Sequence, residues 1–267
     1  MNQSEATQAA AGGRARLSRR AFEGLSHMAR FNWPFYATAA VAIVLALGAL
    51  CFIPLQSAAR FSAWAGLLLA AFWTMSSLVA SHWVYDRAGI YELRWLNGVM
   101  GVAVNRWVNL HAGFDEFTSG LCACFPGSRW AVWDFQDASA MTEYSIVRAR
   151  KIATGAPAAL KVDYWALPEA DAALDAVFVL FAAHELRSGQ ARALLFQELF
   201  RVLKPGGLLL LVEHPRDVAN FLVFGPGAFH FYSRLEWLRV ARFAGLEFRR
   251  QFSITPFVRA FLFGRPL

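Results

Sequence analysis

Two regimes of hydrophobic patterning divide this chain. No charged residue falls between Arg30 and Arg60, and within that window Pro34 to Pro54 is almost wholly apolar. A second charge-free window runs from Phe61 to Tyr85, with Ser76, Ser77 and Ser81 making its end more polar. A bilayer core ~30 Å thick needs roughly 20 apolar residues in a helix, so each window predicts a membrane span. From Arg106 the pattern changes to short apolar runs alternating with helix-like segments. Strands are expected at Trp107–Leu110, Trp130–Trp133, Leu160–Val162, Leu174–Ala182 and Leu208–Val212, with a final pair at Phe248–Ile254 and Val258–Phe263. Helices are expected at Phe114–Phe125, Ala140–Ile152, Gly189–Leu203 and Tyr232–Ala244, and Lys204–Gly207 is expected as a turn.

Alternation of strand and helix at this spacing predicts an α/β domain with a doubly wound, mostly parallel, seven-stranded Rossmann-like sheet. The uninterrupted apolar run at Leu174 suits a parallel strand covered on both faces. The chain therefore divides into a basic N-terminal segment (1–33), a transmembrane hairpin (34–85), a linker (86–105) and the α/β domain (106–267).

Composition agrees with a mixed protein. Hydrophobic residues make up 57% of the chain and charged residues only 17%, too apolar for an ordinary soluble domain. The net charge is +7, but Arg14, Arg16, Arg19, Arg20 and Arg30 all precede the first apolar window. Arginines beside a span report on orientation and anionic lipid, and no basic stripe with interleaved aromatics marks a nucleic-acid partner. Only Arg60 lies between the spans, so the positive-inside rule puts the N-terminus, and with it the α/β domain, in the cytoplasm. The segment before the first span is too long for a signal peptide, and Leu50 before Cys51 argues against a lipidated cysteine. Trp33, Tyr36, Trp83 and Tyr85 stand where interfacial aromatics are favoured. Three sparse cysteines, Cys51, Cys122 and Cys124, read as packing residues in a reducing compartment.

Ligands of open α/β sheets bind beyond the carboxyl ends of the strands. Those ends hold Asn109 to Asp115, Asp134, Asp163, His184-Glu185 and Glu213-His214. His184 and His214 are candidate general bases, since imidazole titrates near neutrality. Glu185, Arg216 and His230 are candidate substrate-side residues. The spacing of His184, Glu213 and His214 matches no short metal-ligand motif, so no metal is expected. No nucleophile elbow or phosphate-binding P-loop occurs.

Two stretches resemble the later motifs of the class I S-adenosylmethionine-dependent methyltransferases. They are DAVFVLFAAHE (Asp175–Glu185) and ELFRVLKPGGL (Glu198–Leu208), and RVLKPGG (Arg201–Gly207) is the most specific part. Leu167-Pro168 after Asp163 also matches, and the similarity covers about residues 105–263. The resemblance implies S-adenosylmethionine as the cofactor. It places the family's glycine-rich loop at Asn109–Asp115, where the family has an acid at Asn109 and glycines at His111, Gly113 and Asp115; of the glycines only Gly113 is kept. Side chains at His111 and Asp115 must point away or narrow the pocket. The ribose-binding acid corresponds to Asp134, flanked by Phe135, and the acid near the adenine to Asp163, beside Tyr164.

The function this implies is methyl transfer to a lipophilic or membrane-associated small molecule, with the bilayer as the other partner. The aromatic, glycine-rich stretch Phe221–Phe231 suits a cover over such a substrate or a patch on the bilayer. A competing reading, motivated by His111 and Asp115, is a catalytically inactive methyltransferase-like binding or scaffold module at the membrane.

Overall fold

The computed structural model describes residues 20–137, 141, 145, 147–149 and 158–267. Its centre is a seven-stranded sheet in the order β3-β2-β1-β4-β5-β7-β6. The strands are β1 (Arg106–His111), β2 (Arg129–Asp134), β3 (Leu160–Lys161), β4 (Leu174–Leu180), β5 (Leu203–Glu213), β6 (Glu247–Thr255) and β7 (Val258–Gly264). β1 pairs in parallel with β2 and β4, and β4 with β5, while β7 runs antiparallel to β5 and β6. The strand order reverses between β1 and β4, and that switch point fixes where a ligand can enter.

Successive side chains of a strand point to opposite faces, and here both faces are buried. On β4, Val177 and Val179 join one core cluster while Ala176, Phe178 and Leu180 join the other. On β5, Leu209 and Leu211 face one way and Leu208, Leu210 and Val212 the other. Burying each such Leu or Val contributes about 1.5–3 kcal/mol.

The first face is covered by the amphipathic helices that close the domain. We label the helices in chain order: α1 (Glu23–Phe31), α2 (Trp33–Phe52), α3 (Ser57–His82), α4 (Thr118–Cys124), α5 (Gly189–Val202), α6 (Val218–Phe224) and α7 (Arg234–Phe243). Ser188 caps α5 through the Ala191 N–H, and Ser233 caps α7 through the Glu236 N–H. Buried Arg192 of α5 donates from Nε and Nη2 to Glu236 Oε1 of α7, at 3.0 and 2.6 Å, locking the two together. The second face is covered by residues 84–100. Read from sequence as part of a linker, they instead wind through short turns and bury Ile90, Leu93, Leu96, Val99 and Met100.

α2 and α3 are long and apolar enough to cross a membrane, and little of either is buried against the rest of the molecule. Their connection, Ile53 to Gln56, is short, so they pack as an antiparallel hairpin. Three boundaries differ from the sequence pattern. Lys204–Gly207 lies inside β5, because Leu203 already pairs with Leu174 across a bulge. α4 starts at Thr118, four residues late, because Asp115 turns the chain ahead of it. α1 is a helix within a segment read only as basic. The helix expected at Ala140–Ile152 falls largely outside the described residues.

Candidate active site at the strand ends

Parallel strands deliver their last residues to one edge of the sheet. His111 ends β1 directly beside Asp134 of β2 in register. β4 leads into Phe181 and the turn Ala183–Glu185, and β5 ends at Glu213 next to His214. A cavity of about 390 Å³ opens there, within the range of small-molecule sites. Leu180, Phe181 and Ala112 form its floor, and Phe224 and Phe231 one side. Its roof is built by the N-terminal helices: Phe31 of α1, Phe35 and Tyr36 of α2, and Ser77 and Ser81 of α3. The expected interfacial aromatics split accordingly: Trp33 and Trp83 are exposed, whereas Tyr36 and Tyr85 turn into the cavity.

Two polar clusters line this space. In the first, Tyr85 Oη lies 2.8 Å from His214 Nε2, and His214 Nδ1 lies 2.9 Å from the Phe257 carbonyl. A carbonyl only accepts, so Nδ1 carries the proton and Nε2 accepts from the tyrosine hydroxyl. Burial, with the nearby His184 and His230, pushes His214 down to about 4 despite the Phe257 carbonyl, so the ring is neutral. In the second cluster, His184 Nδ1 lies 2.7 Å from Glu213 Oε2 and Nε2 lies 3.4 Å from Glu185 Oε1. Burial opposes charge on His184, but the two carboxylates raise it well above the usual histidine value. The His230 ring stands edge-on to His184, centroids 5.3 Å apart.

Both histidines expected as bases therefore reach the site, yet neither presents an idle lone pair. His214 uses both nitrogens in a relay to Tyr85, and His184 is held between two carboxylates. Glu185 and His230, the candidate substrate-side residues, line the cavity. Arg216 does not: its side chain is exposed, and it is the backbone N–H that is used, donating to the Tyr232 carbonyl.

In the turn after β1, side chains stand where the resemblance implies glycines, and they tie up their own turn. His111 Nδ1 accepts from the Gly113 N–H at 3.1 Å. Asp115 Oδ1 accepts from the Phe117 and Thr118 N–H groups and from Asn109 Nδ2, at 2.9, 3.1 and 2.9 Å. Asn109 is buried behind the loop and also donates to Thr118 Oγ1. Asn109, His111 and Asp115 thus hold the loop from within, and Gly113, at φ 93°, makes the turn that a side chain would strain. Asp134 is buried at the end of β2, where it accepts from the Gln136 N–H and pairs with Lys161 at 2.7 Å. A second cavity, about 280 Å³, lies just beyond it, with Phe135, Asp163 and Tyr164 in its wall. A carboxylate for a diol, aromatic and apolar walls for a purine and a second carboxylate for its amine fit an adenosine.

Sequence reasoning missed Tyr85, Glu116 and the aromatic roof. Tyr85 and His214 are 129 residues apart, and no local pattern links them. Glu116 is fixed by the Tyr91 hydroxyl at 2.8 Å and lines the cavity.

Residues 137–211 match a protein family described as a methyltransferase domain. That match begins just after Asp134, so it spans β4, α5 and most of β5 but not the altered loop. Among solved structures, the chain is similar to an S-adenosylmethionine-dependent methyltransferase from Aquifex aeolicus, at 19% identity and a TM-score of 0.50, covering 67% of this chain and 93% of that one. It is also similar to a complex of the Haloferax volcanii Trm112 methyltransferase activator and a putative methyltransferase, at 16% identity and a TM-score of 0.50, covering 66% and 90%. No curated protein matches the chain in sequence. Strand order and the site at the switch point give the chain the fold of the class I S-adenosylmethionine-dependent methyltransferases, and the methyltransferase-domain match over residues 137–211 supports S-adenosylmethionine as the methyl donor.

Proposed function

We propose that this methyltransferase acts on a lipophilic small molecule taken from the bilayer. The observation that carries the proposal is the roof of the 390 Å³ cavity, to which α2 and α3, the helices long and apolar enough to span a membrane, contribute Phe35, Tyr36, Ser77 and Ser81. In this reading the hairpin does two jobs: it anchors the domain and forms a wall of the acceptor site. The N-terminus and the α/β domain then share the cytoplasmic side.

S-adenosylmethionine supplies an electrophilic methyl group on a sulfonium sulfur. Asp134 would hold its ribose, Phe135 and Tyr164 would flank the adenine, and Asp163 would meet the purine amine. Lys161 is half-exposed, so it can yield the Asp134 carboxylate to the ribose hydroxyls. Phe31, Phe35, Phe117 and Phe181 would bind the apolar body of the acceptor. The polar end of the cavity, with Tyr85, His184, Glu185 and His230, would meet the atom that is methylated. Methyl transfer between two bound reactants needs alignment above all, and a walled cavity supplies it.

The test is transfer of isotopically labelled methyl from S-adenosylmethionine in proteoliposomes made with membrane extract. Label is expected in the organic-solvent phase with the wild type, and its loss with Asp134→Ala. Its appearance only in aqueous products would overturn the lipophilic acceptor while leaving the methyltransferase assignment intact.

A further inference from the structure

The geometry points to a divalent transition-metal site formed by His184, Glu185 and His230. One donor atom from each of the three lies within 4.8 Å of the others. The His184 Nε2 to Glu185 Oε1 distance is 3.4 Å. A tetrahedral shell with metal–ligand bonds of ~2.1 Å sets its donors about 3.4 Å apart, so small side-chain movements would close the shell. Residues 46 positions apart along the chain are brought together here, which explains why spacing in the sequence gave no hint.

Three further features belong to a built site and not to a chance cluster. Glu213, 1% exposed in its side chain, holds His184 Nδ1 at 2.7 Å and directs Nε2 toward Glu185. That is the carboxylate–histidine arrangement that orients a metal ligand from behind. Glu185 Oε2 is buried and has no hydrogen-bond partner, although its residue lines the cavity. A buried carboxylate oxygen without a partner is costly, and a cation would satisfy it. Finally, Arg187 Nη1 donates to the backbone carbonyls of both His184 and His230, at 3.3 and 2.7 Å. It pins the two ligand-bearing segments together without using either ring.

Charge is consistent with this. The carboxylates of Glu185 and Glu213 flank His184, and a divalent cation would displace the proton that they favour on its ring and take its place beside them. Two imidazoles and one carboxylate suit Zn²⁺, Mn²⁺, Fe²⁺ or Co²⁺ better than Mg²⁺ or Ca²⁺, which prefer oxygen. Three protein ligands leave coordination positions open toward the cavity, as catalytic sites do. An acceptor oxygen could occupy one of them and be held next to the donor as a Lewis-acid-bound nucleophile; that use, unlike the site itself, rests on the methyl-transfer reading.

The test uses the full chain, purified in detergent without an affinity tag, stripped with chelator and incubated in turn with Zn²⁺, Mn²⁺, Fe²⁺ and Co²⁺. Metal is then counted by mass spectrometry after desalting. About one equivalent of at least one ion is expected in the wild type. Loss is expected in both His230→Ala and the isosteric Glu185→Gln, and Glu213→Gln should weaken affinity about 10–100-fold. Bound Co²⁺ should show visible absorption bands that change in Glu185→Gln. Thermal melting and S-adenosylmethionine binding, each measured on every variant, show that the variants remain folded. No retained metal in the wild type, or equal retention in folded Glu185→Gln, would overturn the site. S-adenosylmethionine binding without metal would leave the methyltransferase reading standing, so the two failures are distinguishable.

Discussion

At the scale of single residues, the site depends on polar groups whose partners are fixed by burial. The Tyr85 hydroxyl is what satisfies His214 Nε2. Tyr85→Phe should leave that nitrogen buried and unpaired, costing about 1–3 kcal/mol of stability. Methyl transfer should fall while S-adenosylmethionine affinity stays unchanged, a contrast readable from calorimetry beside single-turnover rates. The depressed histidines also predict a pH dependence. His214 and His230 drop from the ordinary 6.5 to about 4, chiefly through burial. A folded state that refuses a proton the unfolded chain accepts keeps its full stability above 6.5 and loses it as pH falls toward 4. His184 has the opposite sign: raised by its carboxylates, it contributes stability below 6.5 that fades as pH rises through its folded value. The melting temperature should therefore fall between pH 6.5 and 4, and the fall should be shallower in His214→Gln. An unchanged slope in that variant would show that His214 does not carry the effect. Phe181 adds strain to this picture: at φ 52° it sits in the left-handed region, and its ring packs on Phe117 and His214 at the cavity floor. Such conformations cost ~1–3 kcal/mol and persist where the surroundings impose them.

At the scale of elements, the decisive contact is between α3 and α6. Ser76 Oγ donates to the Val223 carbonyl at 2.7 Å, and Trp73 packs edge-on against Phe221. Gly225, just after α6, has φ 54°, and a Cβ there would lie 2.5 Å from the Trp73 ring. Gly225→Ala should push α6 off α3 at a cost of about 1–3 kcal/mol. The cavity side formed by Phe224 and Phe231 would move with it, so acceptor KM should rise while donor binding holds. The strands were legible in the sequence because doubly buried parallel strands are uninterrupted apolar runs; Leu174–Leu180 is the clearest. α5 and α7 were legible from their periodicity and their serine caps. What escaped was set by distant partners. α1 is held by Asp86, whose carboxylate accepts from the Gly24 and Leu25 N–H groups at 2.7 and 3.0 Å. No pattern within residues 23–31 announces that anchor. In the loop after β1, the side chains at His111 and Asp115 were visible, and so was the need for them either to point away or to narrow the pocket. That they would hydrogen-bond to their own turn required the backbone.

At the scale of the whole molecule, the boundary between the apolar N-terminal helices and the sheet domain does not fall where hydrophobicity changes. Residues 84–100 cover the sheet face formed by Trp107, Phe178 and Leu210. α1 to α3 cover the ligand cavity. Two truncations separate these roles. A chain beginning at Gly101 loses Val84, Ile90, Leu93, Leu96, Val99 and Met100 from the apolar cluster that covers this sheet face, and so uncovers part of it. Large apolar patches of that kind drive association, so this chain should bind hydrophobic dye, aggregate and melt without cooperativity. A chain beginning at Trp83 keeps Val84, Ile90, Leu93 and Leu96 over the sheet, along with Tyr85 and Asp134. It should melt cooperatively and bind S-adenosylmethionine as the full chain does, since the residues proposed to hold the donor all follow residue 105. It should nevertheless fail to methylate a bilayer-dissolved acceptor, even when tethered to vesicles through an added lipid anchor. Tethering restores proximity but not the roof of Phe31, Phe35 and Tyr36. If the lipid-tethered truncation recovered full activity, the hairpin would be an anchor alone, and acceptor recognition would rest on the α/β domain and the residues just before it.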